Sequence, residues 1–161
     1  MAVTELDPEA RLQHALDLAY RYLGHRDRTV LEVRRHLESK RVEPATIDET
    51  LDELARAGYL DDERYARTFA EDRRNLDGWG NERIERKLGS VGVSDEVIAS
   101  VLGGFGHEDQ LAAALEVLRR KVRVVPSDER GREKALAMLV RRGYELETAY
   151  DAVRAFERGS V

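Results

Sequence analysis

The chain has 161 residues, of which 42% are hydrophobic and 37% are charged. This composition, rich in Ala, Leu, Glu and Arg, predicts an almost all-α protein with thin cores under a charged surface. The absence of cysteine excludes disulfides and thiolate chemistry and fits a reducing compartment. The net charge of −5 argues against a general nucleic-acid coat, although the residues after 108 are net basic.

The N-terminal sequence MAVTELDPEARLQ has neither a basic start nor an apolar core, so no signal peptide is predicted. No apolar run approaches the roughly 20 residues that a membrane-spanning helix requires. We therefore expect a cytoplasmic protein without membrane contact.

Apolar spacing and capping signals predict the helices in chain order. Thr29 and Glu32 form a capping box, Pro44 fits a first turn and Gly58 fits a helix stop. Ser94 and either Ser127 or Asp128 are expected N-caps. The predicted helices cover residues 9–24, 29–40, 44–57, 62–76, 81–90, 94–103, 107–123, 128–142 and 145–158.

A repeat of 51 residues runs through this series of helices. Three leucines that should be buried follow it, namely Leu37, Leu88 and Leu139. Four residues beyond each leucine stands a position at which the helix should stop with a left-handed residue: Arg41, Gly92 and Gly143. Because arginine disfavours that conformation, the first stop should be strained or shaped differently. The repeat predicts three three-helix units over residues 1–60, 61–106 and 107–161.

The stretch AGYLDDERYARTF, residues 57–69, is either an acidic site or a hinge between two units. Neighbouring carboxylates at a helix start point to different sides, which disfavours a catalytic pair. The hinge interpretation assigns each residue a structural role. Gly58 stops a helix, Tyr59 and Leu60 pack under the neighbouring unit, and Asp61 or Asp62 caps the next helix, whose buried face is Tyr65, Ala66 and Phe69.

The ordered set of motifs closely resembles the RecX family, the regulators of the RecA recombinase. The resemblance lies in AGYLDDERYARTFAEDRR followed by GWGNERIERKLGSVGVS, and in the upstream stretch ALDLAYRYLGHRDRTVLEVRRHLESKRV. It covers residues 12 to 104 well, whereas the last unit matches more by length and periodicity. The pattern includes basic residues at Arg73 and Arg74.

The resemblance implies an elongated, curved array of tandem three-helix, helix-turn-helix-like repeats. It implies binding to RecA and to its filament on single-stranded DNA, in the helical groove of that filament. It further implies inhibition of the ATPase, strand-exchange and coprotease activities, and hence a role in DNA repair, homologous recombination and the SOS response. Such proteins are not enzymes and need no cofactor, and we expect a monomer.

A stand-alone helix-turn-helix DNA-binding protein is the alternative. The third helix of each unit would enter the major groove, but these helices are acidic or neutral and phosphates would repel them. Any direct DNA contact should therefore come from the basic C-terminal third.

Basic residues on the second helix of each unit are candidates for a stripe that contacts a polyanion or an acidic protein. They could equally be solvated helix faces paired with Glu32, Glu82, Glu85 and Glu133. The candidates are Arg34, Arg35, Arg83, Arg86, Lys87, Arg132, Lys134, Arg141 and Arg142.

Two further features suggest a binding surface. The first is the run of Arg119, Arg120, Lys121 and Arg123, whose charge density exceeds what a helix C-terminus needs. The second is Trp79 between two glycines, which could stack on a base or anchor a protein interface but fits better as a plug at a helix joint. His14, His25, His36 and His107 form no close ligand pair, so no metal site is predicted. No phosphate-loop or nucleophile motif is present, so no catalytic residue is assigned.

Overall fold

A computed structural model describes residues 7–159 of the chain. Within this range the structure contains nine α-helices, one short π-helical segment and no strand, which confirms the predicted all-α fold. The α-helices are α1 Pro8–Leu23, α2 Val30–Ser39, α3 Pro44–Arg56, α4 Asp62–Asp72, α5 Asn81–Ser90, α6 Asp95–Leu102, α7 His107–Lys121, α8 Glu129–Arg141 and α9 Leu146–Arg158. The π-helical segment, Arg73–Asp77, extends α4 directly. No helix in this range is both long and apolar enough to cross a membrane.

The helices begin where their capping residues predict. Thr29 accepts a hydrogen bond from the Glu32 amide while the Glu32 carboxylate accepts one from the Thr29 amide, which completes the predicted capping box. Pro44 is the first residue of α3. Asp128, rather than Ser127, caps α8 by accepting a hydrogen bond of 2.8 Å from the Gly131 amide.

The acidic hinge is structural, with two differences from the prediction. Asp61 caps α4, because its carboxylate accepts a hydrogen bond of 3.0 Å from the Arg64 amide. Leu60 is buried in the core formed by α1, α2 and α3, so it packs into its own unit and the prediction that it packs under the neighbouring one was wrong. Tyr59, however, is 54% exposed and packs edge-on against Tyr20, so the prediction that it packs under a neighbouring unit was wrong. The glycine before it has a φ of 82°, as the predicted helix stop at Gly58 requires.

The 51-residue repeat is visible in the packing. Leu37, Leu88 and Leu139 are each completely buried. Two further sets at this spacing are also buried, with no side chain more than 8% exposed: Val33, Ile84 and Ala135, and Val42, Val93 and Tyr144. Equivalent positions therefore have equivalent roles in the three predicted copies.

The helix stops also repeat. Gly92 and Gly143 have φ values of 90° and 101°, and Arg41 has a φ of 62°. The first stop thus keeps the geometry of the other two, although a residue with a Cβ atom loses about 1–2 kcal/mol in this conformation. The expected strain at Arg41 is present, and it does not change the shape of the turn.

Replacing Arg41 with glycine is expected to raise the free energy of unfolding by about 1 kcal/mol, because relief of the left-handed strain exceeds the entropy that glycine adds to the unfolded chain. Urea unfolding followed by far-UV circular dichroism measures this change. The matched control is Lys40→Gly, whose φ of −92° needs no glycine and which should lower stability. Equal effects of the two substitutions would contradict the assignment of strain to Arg41.

The chain divides into two compact units. The first contains the residues up to Tyr65 together with Ser90–Ser94, and the second contains Ala66–Gly89 together with the residues from Asp95 onward. In the first unit α1, α2 and α3 surround one apolar core, and in the second α7, α8 and α9 surround another. The boundaries at residues 60 and 106 that the repeat suggests stay a prediction.

In the first unit, the start of α2 is anchored to residues that follow it by 32 to 62 positions. The Thr29 hydroxyl donates a hydrogen bond of 2.5 Å to the Val91 carbonyl, and the Val30 amide donates one of 2.9 Å to the Asp62 carboxylate. A Cβ atom on Gly92 would overlap the side chain of Leu31. The bond from the Val30 amide satisfies a backbone donor that a helix N-terminus otherwise leaves unpaired.

In the second unit, the start of α5 makes an equivalent joint at a shift of 51 residues. The Gly80 amide donates to the Arg142 carbonyl at 2.8 Å, and the Glu82 amide donates to the Gly143 carbonyl at 3.0 Å. The Asn81 amide donates to the Gln110 side chain at 2.9 Å. Free N–H groups of α5 are thereby paired with free carbonyls at the end of α8, so each helix end satisfies the other.

Tyr144 is buried in this second joint, where its hydroxyl donates a hydrogen bond of 2.9 Å to the Gly78 carbonyl. Burial raises the pKa of Tyr144 to about 12, although the nearby Arg142 and Arg74 guanidiniums act in the opposite direction. An unfolded tyrosine has a pKa of about 10. Above that value only the unfolded chain loses the proton, so the free energy of unfolding should fall as pH rises from about 10 to about 12.

We expect Tyr144→Phe to remove this part of the alkaline destabilisation, at a cost of about 1 kcal/mol near neutral pH for the lost hydrogen bond. Urea unfolding at roughly pH 8 and pH 11, followed by Trp79 fluorescence, tests both effects. A stability difference between the two proteins that is the same at both pH values would contradict the assignment.

Candidate partner-binding surface

The π-helical segment and Trp79 organise one side of the second unit. Segments of this type are frequent at functional sites. Gly78 ends the segment with a φ of 67°, and the indole ring of Trp79 packs edge-on to Phe69 at 6.0 Å between ring centroids. The Arg83 guanidinium lies over the indole at 4.0 Å from its centroid. These contacts are those of an aromatic residue packed in a joint.

Trp79 also lines a cleft of about 460 Å³, which we call the cationic cleft. Four positively charged side chains and one carboxylate surround it, together with exposed and buried apolar groups. Its lining residues are Leu76, Asp77, Gly78, Trp79, Arg83, Val117, Arg120, Lys121 and Arg142. The structure thus brings together Trp79 and four of the predicted basic residues.

Two of these guanidiniums are held in place. Arg83 stacks on the indole, and Arg142 donates a hydrogen bond of 2.5 Å to the Asp77 carbonyl. The Asp77 carboxylate forms an ion pair with Arg73, which lies outside the cleft lining. The cleft therefore has an excess of positive charge in a partly fixed arrangement, which suits a carboxylate or phosphate group. A base could stack on the same indole face only by displacing Arg83.

The end of α7 carries the densest basic group. Arg119 and Arg120 both pair with Glu116, at 4.0 Å and 3.2 Å, and all three side chains are at least half exposed. Exposed pairs of this kind contribute little and exchange readily for other partners. Lys121 and Arg123 are exposed and, among residues 7–159, pair with no carboxylate. The run thus remains available to an acidic partner.

A second depression, of about 730 Å³, lies between the segment after α7 and the surface of α8, and we call it the α7–α8 groove. It brings together four of the basic candidates, one of which, Lys121, also lines the cationic cleft. Its lining residues are Lys121, Val122, Arg123, Val124, Pro126, Gly131, Lys134, Ala135, Ala137, Met138 and Arg141.

Arg73 and Arg74 are engaged inside the second unit. Arg74 lies 3.8 Å from the ring centroid of Phe105 and donates a hydrogen bond of 3.1 Å to the Asn81 side chain. Burial lowers the pKa of Arg74. Arg73 pairs with Asp77 and lies near the rings of Phe69 and Trp79. Both arginines therefore contribute to packing around the joint, which the sequence did not reveal.

The other candidates are spread over several helices. On α2, Arg34 pairs with Asp48 at 2.9 Å and Arg35 is exposed. On α5, Arg86 and Lys87 are exposed, and on α8, Arg132 pairs with Glu157 at 2.6 Å. A continuous basic stripe formed by these helices stays a prediction.

Two exposed apolar residues were missed by sequence reasoning. Leu76 in the cationic cleft is 72% exposed, and Val124 in the groove is 81% exposed. The only feature of the sequence that could have indicated them is that each is an apolar residue in a polar segment between helices. Among the described residues, no group of three His, Asp or Glu side chains could hold a metal ion.

The fold defines a class of protein: a tandem array of three-helix, helix-turn-helix-like domains. Three family models match it in order, over residues 15–54, 61–102 and 108–153, and are described as the first, second and third three-helix domains of RecX. The chain belongs to the RecX family.

Curated relatives agree with this assignment. The chain is 30% identical over 153 residues to Regulatory protein RecX of Mycolicibacterium smegmatis, which covers 91% of this chain and 81% of that protein. It is 28% identical to the Amycolatopsis mediterranei protein of the same name, over 96% of this chain and 89% of the relative. The chain spans about half the length of other relatives, such as that of Staphylococcus haemolyticus, at 52%.

Two crystal structures show the same fold. The structure of RecX from Lactobacillus salivarius superposes with a TM-score of 0.80, at 18% identity, over 92% of this chain and 97% of that one. A crystal structure of regulatory protein RecX superposes with a TM-score of 0.73, at 22% identity, over 94% and 79%.

Proposed function

We propose that this protein is a regulatory protein that binds the RecA recombinase and its filament on single-stranded DNA, and inhibits the ATPase, strand-exchange and coprotease activities of RecA. The observation that carries the proposal is the ordered match of all three RecX domains. Two relatives that this chain matches over most of their length bear the name Regulatory protein RecX. The protein would thereby modulate DNA repair, recombination and the SOS response from the cytoplasm.

The physical mechanism is differential binding. A regulator shifts a filament between states only if it binds one state more tightly than another. The basic surface of the second unit supplies a contact for acidic groups of the filament, through the cationic cleft and the end of α7. The chain acts as a monomeric binding protein rather than as an enzyme, and it needs no cofactor.

RecA-dependent ATP hydrolysis on single-stranded DNA tests the proposal. The rate of ATP hydrolysis is measured at a fixed RecA concentration and increasing concentrations of this protein, and we expect the rate to fall. If the protein destabilises filaments, inhibition should saturate well below one regulator per RecA subunit. A parallel titration with heat-denatured protein is the control. Unchanged hydrolysis at a molar excess of folded protein would overturn the proposal.

The alternative, a stand-alone DNA-binding protein, is favoured only by the positive charge of the cationic cleft. It requires affinity for naked duplex that falls steeply with salt, with a slope equivalent to several phosphate contacts. Weak binding to naked duplex together with strong binding to the RecA filament would favour the regulatory function.

A further inference from the structure

The α7–α8 groove differs from the rest of the basic surface in its composition. Its apolar lining, which we call its floor, consists of Val122, Val124 and Pro126 after α7 and of Ala135, Ala137 and Met138 on α8. Its rim carries Lys121, Arg123, Lys134 and Arg141. Among the residues that the structure describes, no acidic side chain lines it.

The cations of the rim are not neutralised by the protein itself. Within the described range of residues 7–159, none of the four pairs with a carboxylate, whereas Arg34, Arg119, Arg120 and Arg132 each do. Each rim cation is exposed. Four uncompensated charges around one depression create a positive potential that an acidic ligand would neutralise.

The apolar floor restricts the kind of acidic ligand. Val124 is 81% exposed, which makes it the most exposed large apolar side chain among the described residues. On α8, Lys134, Met138 and Arg141 follow one another at helical spacing on one face, so cations flank an apolar centre. Phosphates of a nucleic acid would neutralise the rim but would leave this apolar surface in water. A protein segment with both acidic and apolar side chains would neutralise the basic rim and also cover the apolar floor.

We propose that the α7–α8 groove docks an acidic amphipathic helix of a partner protein. Two or three apolar side chains of that helix would lie on Val124 and Met138, and carboxylates beside them would pair with the rim. The groove volume of about 730 Å³ is sufficient for a few such side chains. The inference rests on the proposed function, because it assigns to this groove one contact with the regulated protein.

The test uses the full chain and a fluorescently labelled synthetic peptide of about 15 residues, with leucine at i, i+3, i+4 and i+7 spacing and glutamate elsewhere. Fluorescence anisotropy gives the dissociation constant. We expect Val124→Asp and Lys134→Glu each to weaken binding about tenfold or more, because one places a carboxylate on the floor and the other reverses a rim charge. Both sites are exposed, so the fold should persist.

The matched control is Leu146→Asp, which makes the same kind of change at a 56% exposed residue outside the groove and should leave the dissociation constant unchanged. Two reference ligands separate charge from shape: a peptide of the same composition with a scrambled order, and a thymidine oligonucleotide. Equal binding of either reference ligand, equal loss in the control variant, or no peptide binding at all would overturn the groove assignment.

These outcomes are distinct from failure of the proposed function. If the wild-type chain inhibits RecA hydrolysis but Val124→Asp inhibits equally well and the peptide does not bind, the groove assignment fails alone. If the peptide binds as expected but RecA hydrolysis is unaffected, the groove binds acidic helices and the regulated protein is not RecA.

Discussion

Replacing Gly143 with alanine is expected to lower the free energy of unfolding of the second unit by about 3 kcal/mol. Two costs combine: about 1–2 kcal/mol for a side chain in the left-handed conformation and about 1–3 kcal/mol for overpacking. The overpacking arises because the added Cβ atom would overlap the backbone of Arg83, and a backbone cannot move aside as a flexible side chain does. Urea unfolding followed by Trp79 fluorescence reports on this unit, since Trp79 is the only tryptophan.

Three other glycines separate the two costs. Gly58 has a φ of 82° and open space around a built Cβ atom, so its alanine variant should show only the conformational cost. Gly80 lacks a positive φ, but its Cβ atom would lie 2.6 Å from the Gly143 carbonyl carbon, so its variant should show only the overpacking cost. Gly89 has neither a positive φ nor an atom close to a built Cβ atom, so its alanine variant should stabilise α5 by about 0.5–1 kcal/mol. Equal effects at Gly143 and Gly58 would contradict the close contact.

The second large effect is expected from removal of the basic residues at the end of α7. Alanine at all four positions should weaken inhibition of RecA hydrolysis about thirtyfold, because four exposed charges at about 0.5 kcal/mol each amount to about 2 kcal/mol. The effect should shrink at high salt as screening increases. The substituted residues are Arg119, Arg120, Lys121 and Arg123.

A charge-matched variant tests whether position matters. It replaces four exposed cations that lie outside the candidate set, namely Arg21, Lys40, Arg56 and Arg154, and changes the net charge by the same amount. Inhibition should be nearly unchanged in this variant. Circular dichroism of both proteins establishes that they are folded, since cations in the last turn of α7 also complement its dipole. Equal inhibition by the two variants would remove the end of α7 from the contact surface.

Local signals predicted most of the fold. The spacing of Leu37, Leu88 and Leu139 identified buried positions in all three copies, and the glycines four residues later identified left-handed stops. The capping box at Thr29 fixed the start of α2. The caps and stops depend on residues within about one helical turn, and the repeat is found by comparing segments of the same chain, so a single sequence contains both.

Features that depend on distant partners could not be predicted. Arg74 looked like a surface cation, and only the fold places it against Phe105 and Asn81. Asp62 looked like a cap of its own helix, but it accepts a hydrogen bond from Val30 instead. In the candidate site, the basic residues could be predicted from the charge density of the sequence. The apolar floor around Val124 could not, because it forms only when α8 packs beside the preceding segment.

The joint between α5 and the end of α8 has a consequence for how such a chain can diverge. Two of its hydrogen bonds, from Gly80 and Glu82 to Arg142 and Gly143, join peptide groups alone. Every amino acid except proline carries the same peptide donor and acceptor, so most substitutions of Glu82 or Arg142 leave those two bonds intact. For these two bonds the constraint lies at the glycines, which admit the close approach. An architecture connected in this way can exchange nearly all of its outward-facing residues, and adapt to a new partner, while its successive modules stay in register.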